Sequence, residues 1–206
     1  MSRWVPAVAT IECVFLRSLA EIHSLSMAAF ITRSATVDDL PTLIHLAHQI
    51  WRAYYPGILS SEQIEYMLAR FFTSAVMEQE ILGGGMTYFI REEERASAIG
   101  FAAVRLTSDA RESKLHKLYV QPSVQGQGHG HALLQAVIAH ALSLGSQSLM
   151  LCVNKQNAKA IAAYERYGFV IRDSIRVDIG SGFVMDDYVM ARTLLTSPTP
   201  GAMPIR

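Results

Sequence analysis

Three glycines stand at alternate positions in the segment "QGQGHG", which covers residues 125–130 and directly precedes an apolar run. Glycine has no side chain, so a ligand can approach the main chain closely at such positions. A loop that leads into a helix also presents free backbone N–H groups and the positive end of the helix dipole to one spot. The segment is therefore a candidate phosphate-binding loop, although the same glycines would also suit a tightly packed turn between a strand and a helix.

The spacing of these glycines excludes the two commonest phosphate loops. The dinucleotide fingerprint Gly-x-Gly-x-x-Gly, counted from Gly126, requires a glycine where the chain has His131. The P-loop ends in Gly-Lys-Ser/Thr, and no lysine follows the glycines here. An anionic ligand is nevertheless indicated, because all of the lysines lie around this segment: Lys114, Lys117, Lys155 and Lys159.

Hydrophobic periodicity predicts the elements that must position this loop. A short strand begins at Phe30, and helical segments with N-terminal caps at Thr36 and Ser60 follow it. Three successive strands then lead to the glycines, and a helix that ends at Gly145 comes directly after them. The rest of the pattern predicts a buried strand, a helix opened by Asn157 and two final strands.

Composition and charge limit the possible functions. A chain of 206 residues, half of them hydrophobic, predicts one domain with a sizeable core. Eighteen basic residues balance eighteen acidic ones, so no overall field would draw the protein onto nucleic acid or an anionic membrane. Cys13 and Cys152 show neither disulfide nor metal-ligand spacing, so we expect no metal site and a cytoplasmic location.

The two ends of the chain have weaker patterns than the rest. Residues 1–27 show no clear period, and we expect them to form a loosely ordered N-terminal extension. Their apolar run only loosely resembles a secretory signal, because Glu12 interrupts it. Residues 196–206 are turn-rich and are expected to be a disordered tail, which leaves residues 28–195 for the folded domain.

Two motifs resemble those of the GNAT superfamily, the Gcn5-related N-acetyltransferases. Gln125-x-x-Gly128-x-Gly130 is similar to the family signature Gln/Arg-x-x-Gly-x-Gly/Ala, whose amides hold the pyrophosphate of coenzyme A. The later segment "NKQNAKAIAAYERYGF" resembles the second cofactor element of the family, with Asn157, Ala160, Tyr164, Gly168 and Phe169 in place. The resemblance implies an α+β, α/β/α-layered fold whose central, mostly antiparallel sheet is splayed between strands 4 and 5 and flanked by helices.

The resemblance also implies acetyl-CoA as co-substrate and assigns residues to it. The backbone of residues 118–120 would hold the pantetheine arm and polarise the thioester carbonyl, and Tyr164 matches the family tyrosine that protonates the thiolate. The complete set of implied contact residues is Leu118, Tyr119, Val120, Gln125, Gly126, Gln127, Gly128, His129, Gly130, His131, Asn157, Lys159, Ala160 and Tyr164.

The general base is less well defined by the sequence. His116 lies two residues before Leu118, so its side chain is expected to share a strand face with Leu118 and Val120. Histidine suits proton removal near neutral pH. Glu112, Asp186 and Asp187 are alternatives, either directly or through water. Transfer without any base, to the small deprotonated fraction of the amine, also remains open.

The acceptor site is predicted across from the coenzyme, with Tyr54, Tyr55 and Asp187 as candidate substrate-binding residues. "LHKLYV" and "GFVMDDYVM" resemble the bacterial branch that includes spermidine/spermine-type acetyltransferases. The Gln-Thr that usually precedes the terminal Asp-Tyr in that branch is absent, so polyamine specificity does not follow. We therefore expect acetyl transfer to a primary amine of a small molecule by direct attack in a ternary complex. A non-catalytic acyl-CoA-binding module, a protein N-terminal or lysine acetyltransferase, and a homodimer are left open.

Overall fold

The computed structural model describes residues 30–93 and 98–194. The predicted N-terminal extension, 1–27, and the predicted tail, 196–206, lie outside these residues.

Within the described residues, helices and strands follow the order that periodicity predicts. The helices are α1 (Leu40–Tyr54), α2 (Ser61–Phe71), α3 (Ser74–Leu82), α4 (His129–Ser143) and α5 (Ala158–Arg166). The strands are β1 (Phe30–Ser34), β2 (Thr87–Glu93), β3 (Ala98–Leu106), β4 (Glu112–Val120), β5 (Ser148–Asn154), β6 (Val170–Gly180) and β7 (Phe183–Thr193). Short 3-10 turns at Val37–Asp39 and Pro122–Val124 precede α1 and α4.

Side-chain caps fix the beginnings of the first two helical segments, as the sequence predicts. The Thr36 backbone N–H donates to Asp39 Oδ2 at 2.9 Å, and the Gln63 backbone N–H donates to Ser60 Oγ at 3.2 Å. Asp39 also pairs with Arg33 of β1 at 2.8 Å, which ties the first strand to the start of α1. These caps satisfy backbone donors that a helix leaves without an intrahelical partner.

The seven strands form one sheet in the order β1-β2-β3-β4-β5-β7-β6, in which β4 and β5 are parallel and every other neighbouring pair is antiparallel. Helices α1–α3 pack on one face through a core that includes Leu43, Phe101 and Met77. Helix α4 packs on the other face, where Leu133 of the helix and Leu149 of β5 belong to a second core. The layered, mostly antiparallel architecture expected from the sequence is thereby confirmed.

The sheet opens between β4 and β5. Pairing between them joins only residues 112–115 of β4 to residues 148–151 of β5, although β4 continues to Val120 and β5 to Asn154. Beyond Leu115, β4 remains paired with β3 but has no strand partner on its β5 side. Backbone groups on that side are left available for a ligand, as the predicted splay requires.

A β-bulge at His116 redirects the side chains of β4. Val104 of β3 pairs with Leu115, whereas its neighbour Ala103 pairs with Lys117, so His116 is an extra residue in the ladder. Leu115 packs in the core beneath α4, but Lys117 contacts Glu80 of α3 on the opposite face of the sheet. The bulge therefore delivers a lysine to the face covered by α1–α3.

Candidate active site

A cavity of about 800 Å³ fills the gap between β4 and β5 and extends to both faces of the sheet. One part, which we call the coenzyme lobe, is lined by the glycine loop and by residues of α4 and α5. The other part, which we call the acceptor lobe, lies between α1–α3 and β7. Tyr164 and Asp187 both line this cavity.

The glycine loop has a backbone shape that other residues rarely adopt. Gly126 and Gly128 have φ angles of +82° and +89°, in the left-handed region. A Cβ atom added at either position would have no atom within 4 Å, so conformation rather than crowding requires glycine there. At Gly130 an added Cβ would lie 3.8 Å from Val120 Cγ2, an ordinary contact.

The first turn of α4 supplies hydrogen-bond donors beside this loop. Gly128 is the N-cap, and the first intrahelical bond runs from the Ala132 N–H to the Gly128 carbonyl at 3.0 Å. The backbone N–H groups of residues 129–131 therefore have no acceptor within the helix. The His129 ring is buried against Phe30, with its centroid 4.4 Å away, so its imidazole faces away from the cavity. This arrangement suits an anion held by backbone amides.

A chain of hydrogen bonds connects the glycine loop to α5 and α1. The Gln125 side chain donates to the Val120 carbonyl at 3.0 Å and accepts from Lys159 Nζ at 2.7 Å. Asn157 caps α5 by accepting from the Ala160 N–H at 3.2 Å, as predicted, and it also accepts from the Tyr54 hydroxyl at 2.9 Å. These contacts fix the positions of the two predicted coenzyme motifs relative to each other.

The structure brings most of the predicted coenzyme residues to the lining of one cavity. Gln127 and His129 belong to the same loop but do not line the cavity with the others. The predicted residues that do line it are Leu118, Tyr119, Val120, Gln125, Gly126, Gly128, Gly130, His131, Asn157, Lys159, Ala160 and Tyr164.

Several tyrosines and the carboxylate of Asp187 line the cavity close enough to affect one another's pKa. Burial raises the pKa of Tyr164 above its ordinary value, and the nearby Tyr54 raises it further, so the hydroxyl stays protonated. Burial likewise raises the pKa of Tyr55, with smaller contributions from Tyr119, Tyr164, Tyr54 and Asp187. The Tyr164 hydroxyl is therefore able to donate a proton at any working pH near neutrality.

Asp187 is the cavity residue best suited to accept a proton. It is 3% exposed, and burial, followed by the charge of Asp186, raises its pKa to about 6, against opposing effects of Lys114 and Lys155. Asp186 itself is exposed and pairs with Lys155. Asp187 thus changes charge close to neutral pH, where a general base is most effective.

The other candidate bases have less suitable surroundings. Burial, together with Lys114, Arg105 and Lys117, lowers the pKa of His116 to about 3, so its imidazole is neutral and only weakly basic. Glu112 pairs with Arg172 at 2.6 Å, and this contact lowers the pKa of the carboxyl group. His116 lines the cavity, whereas Glu112 does not.

Sequence reasoning missed a buried polar cluster at the end of the acceptor lobe. Lys117 Nζ donates to Glu80 Oε2 at 2.6 Å and to the Tyr88 hydroxyl at 2.7 Å, and that hydroxyl in turn donates to Glu80. The three residues are far apart in the sequence, and only the bulge at His116 turns Lys117 toward the other two. No sequence signal could have found this cluster.

Sequence comparisons match most of this chain to known acetyltransferases. Residues 43–169 match the model of the Acetyltransferase (GNAT) family. The chain is 27% identical over 157 residues to the spermidine N(1)-acetyltransferase of Thermoplasma acidophilum, and the match covers 75% of this chain and 94% of that protein.

Solved structures show the same fold. The PaiA N-acetyltransferase of Thermoplasma acidophilum in complex with coenzyme A superimposes with a TM-score of 0.70 at 24% identity, over 80% of this chain and 99% of that one. The ribosomal-protein-S18-alanine N-acetyltransferase of Escherichia coli gives a TM-score of 0.58 at 23% identity, over 85% of this chain and 100% of that one.

The chain belongs to the GNAT family of acetyltransferases. It is accordingly an N-acetyltransferase, and acetyl-CoA is its acetyl donor. The residues present fit this donor. The left-handed glycines of the loop, the backbone amides at the start of α4 and the Lys159 side chain lie beside the part of β4 that has no strand partner in β5. Among the described residues, no cluster of three or more His, Cys, Asp or Glu side chains could hold a metal ion. No helix in the described part of the chain is long and apolar enough to cross a membrane.

Proposed function

We propose that the protein transfers the acetyl group of acetyl-CoA to a primary amine of a small molecule by direct attack in a ternary complex. One observation carries this proposal: a single cavity runs from the glycine loop, through the gap between β4 and β5, to the acceptor lobe. An amine in the acceptor lobe would therefore reach the thioester without first passing the acetyl group to the protein. The Thermoplasma relative named above is a spermidine N(1)-acetyltransferase, and that name too supports a small acceptor.

Contacts between α2 and the β6–β7 hairpin also support a small acceptor. Gln63 Nε2 donates to the Val184 carbonyl at 3.0 Å, and Arg70 Nη1 donates to the Ile179 carbonyl at 2.6 Å. The Tyr66 hydroxyl bonds to the same Ile179 carbonyl. These bonds join two walls of the acceptor lobe, which favours a pocket for a small molecule over an open groove for a protein segment.

Each chemical requirement of the transfer has a candidate group in the cavity. Bound acetyl-CoA would supply the thioester carbonyl and a thiolate leaving group. The amides of residues 129–131 would hold its phosphates, and backbone groups of residues 118–120, which have no strand partner in β5, would bind the acyl arm and polarise the carbonyl. Asp187 would take a proton from the bound amine, and the Tyr164 hydroxyl would protonate the departing sulfur.

The pH dependence of acetyl transfer tests the role of Asp187. In the wild type, kcat/KM should rise with pH through the Asp187 pKa of about 6 and then level off, because only the carboxylate accepts a proton. In Asp187→Asn this inflection should vanish, and kcat/KM should instead rise by about tenfold per pH unit with the fraction of neutral amine.

Asp186→Asn is the matched control for this measurement. Its carboxylate is exposed and raises the pKa of Asp187, so its removal should move the inflection to lower pH without abolishing it. His116→Gln should leave the inflection in place, because the imidazole is already neutral there. An inflection that survives in Asp187→Asn and disappears in His116→Gln would assign the base to His116 instead.

A further inference from the structure

Aromatic side chains form one side of the acceptor lobe. Four of them, which we call the aromatic wall, line the cavity: Trp51, Tyr55, Phe72 and Tyr119. The ring centroids of Trp51 and Tyr55 are 4.4 Å apart, and the Tyr119 ring meets those of Trp51 and Phe72 edge-on at 5.9 and 6.0 Å. Met67 and Phe71 extend this apolar surface. Trp51 and Phe72 are only 4% and 3% exposed, so they back the wall. The half-buried Tyr55, Phe71 and Tyr119 offer most of its accessible surface. Such a surface suits a flat apolar group, which aromatic rings bind by stacking and by edge contacts.

The charges at the end of the acceptor lobe cancel each other. Lys117 and Glu80 form an ion pair whose side chains are only 8% and 26% exposed, and Tyr88 bonds to both. Lys117 Nζ also lies 5.7 Å from the centroid of the Phe72 ring. Glu80 is therefore neutralised by a lysine that the fold holds in place, so it offers little attraction to a second cation.

Asp187 is the carboxylate that remains for a positively charged ligand. Among the described residues that line the cavity, the acidic side chains are those of Glu80 and Asp187. Of the basic side chains in the same lining, Lys159 and Arg166 belong to α5 on the coenzyme side, whereas the charge of Lys114 acts on Asp187. One ammonium group can thus be matched by Asp187, whereas a second one further along the acceptor lobe would meet the neutralised Lys117–Glu80 pair, which is unfavourable in a partly buried site.

We propose that the acceptor is a monoamine with a flat apolar body, of the arylalkylamine type, rather than a polyamine. The inference rests on the proposed function and names the substrate class of the same site. The amine nitrogen lies near Asp187 and Tyr164, and the apolar body lies along the aromatic wall. Burial of that body provides the affinity, and the Lys117–Glu80 pair excludes a distal cation.

A matched pair of acceptors tests this directly in the full chain with saturating acetyl-CoA. Hexylamine and hexane-1,6-diamine differ only by a second amine, and per amine group the diamine should have a kcat/KM at least about tenfold lower. The kcat/KM for 2-phenylethylamine should exceed that for hexylamine. Spermidine and an unmodified peptide N-terminus should have the lowest kcat/KM of the acceptors tested. A kcat/KM for the diamine or spermidine equal to or above that of the monoamines would overturn the proposal.

Two variants test whether the Lys117–Glu80 pair causes the preference for a monoamine. Lys117→Met leaves Glu80 without its cation, so the preference for hexylamine over the diamine should shrink by about tenfold or reverse. Glu80→Gln combined with Lys117→Met removes both charges, and the preference for the monoamine should return. An unchanged preference in folded Lys117→Met would contradict the role of the pair.

Binding of the two amines at equilibrium tests the class of acceptor independently of catalysis, so it distinguishes a wrong substrate class from a wrong proposed function. If no amine were acetylated, the proposed function would fail, but binding of both amines to the protein–coenzyme A complex would still report the class of acceptor. Tighter binding of hexylamine than of the diamine, measured by calorimetry, supports the inference. Equal or tighter binding of the diamine contradicts it.

Discussion

Replacement of Tyr164 by phenylalanine should lower kcat by about 10²-fold, because the departing thiolate loses its proton donor. Affinity for acetyl-CoA should be unchanged, since the ring that packs against Phe169 at a centroid distance of 5.6 Å is retained. Steady-state kinetics with a small amine, together with calorimetric titration of acetyl-CoA, measure the two effects separately.

Tyr167→Phe is the matched control, because Tyr167 lies three residues further along the same segment and also lines the cavity. Its ring stacks on His131 at a centroid distance of 5.0 Å, a contact that phenylalanine preserves. This variant should keep nearly wild-type kcat. Equal losses in both variants would show that the Tyr164 hydroxyl has no special role.

The Gly128→Asp variant should lose at least about 100-fold in affinity for coenzyme A, because its carboxylate would stand at the start of α4 where the phosphates are held. The φ of +89° at this position adds strain for any residue with a Cβ. Calorimetric titration with coenzyme A, which needs no acceptor, measures the affinity directly.

Gly145→Asp separates the loss of the phosphate site from backbone strain. Gly145 lies just beyond the other end of α4, has a φ of +82°, and an added Cβ would have no atom within 4 Å. The substitution therefore imposes comparable strain far from the cavity, and it should reduce stability without weakening coenzyme binding. Unaltered affinity in folded Gly128→Asp would refute the phosphate cradle.

Local patterns in the sequence predicted much of the fold. Apolar periodicity and caps such as Ser60 and Asn157 depend on residues a few positions apart, and the structure places those elements as expected. The shape of the glycine loop was also predictable, because glycine spacing indicates a backbone conformation that other residues rarely adopt. Gly126 and Gly128 do have the left-handed φ angles that explain their residue type.

The acceptor side was much less predictable, because it depends on distant pairs. The bulge at His116 breaks the alternation of side chains between the two faces of β4, and no residue spacing in the sequence predicts it. That single irregularity places Lys117 beside Glu80, 37 positions away in the chain. Burial by neighbouring elements also decides which group can act as a base. The sequence could therefore not show whether Asp187 or His116 is better suited to accept a proton.

Thiol release after mixing with acetyl-CoA, first alone and then with a small amine, tests most directly whether the cavity supports direct transfer. We predict no release above hydrolysis in the absence of amine, and afterwards one thiol for each acetylated amine detected by mass spectrometry. Cys152 lines the same cavity, so a rapid release of one thiol per protein without amine would indicate an acetylated protein and contradict direct attack. Tight binding of acetyl-CoA with no release in the presence of any amine would contradict the proposed transfer altogether.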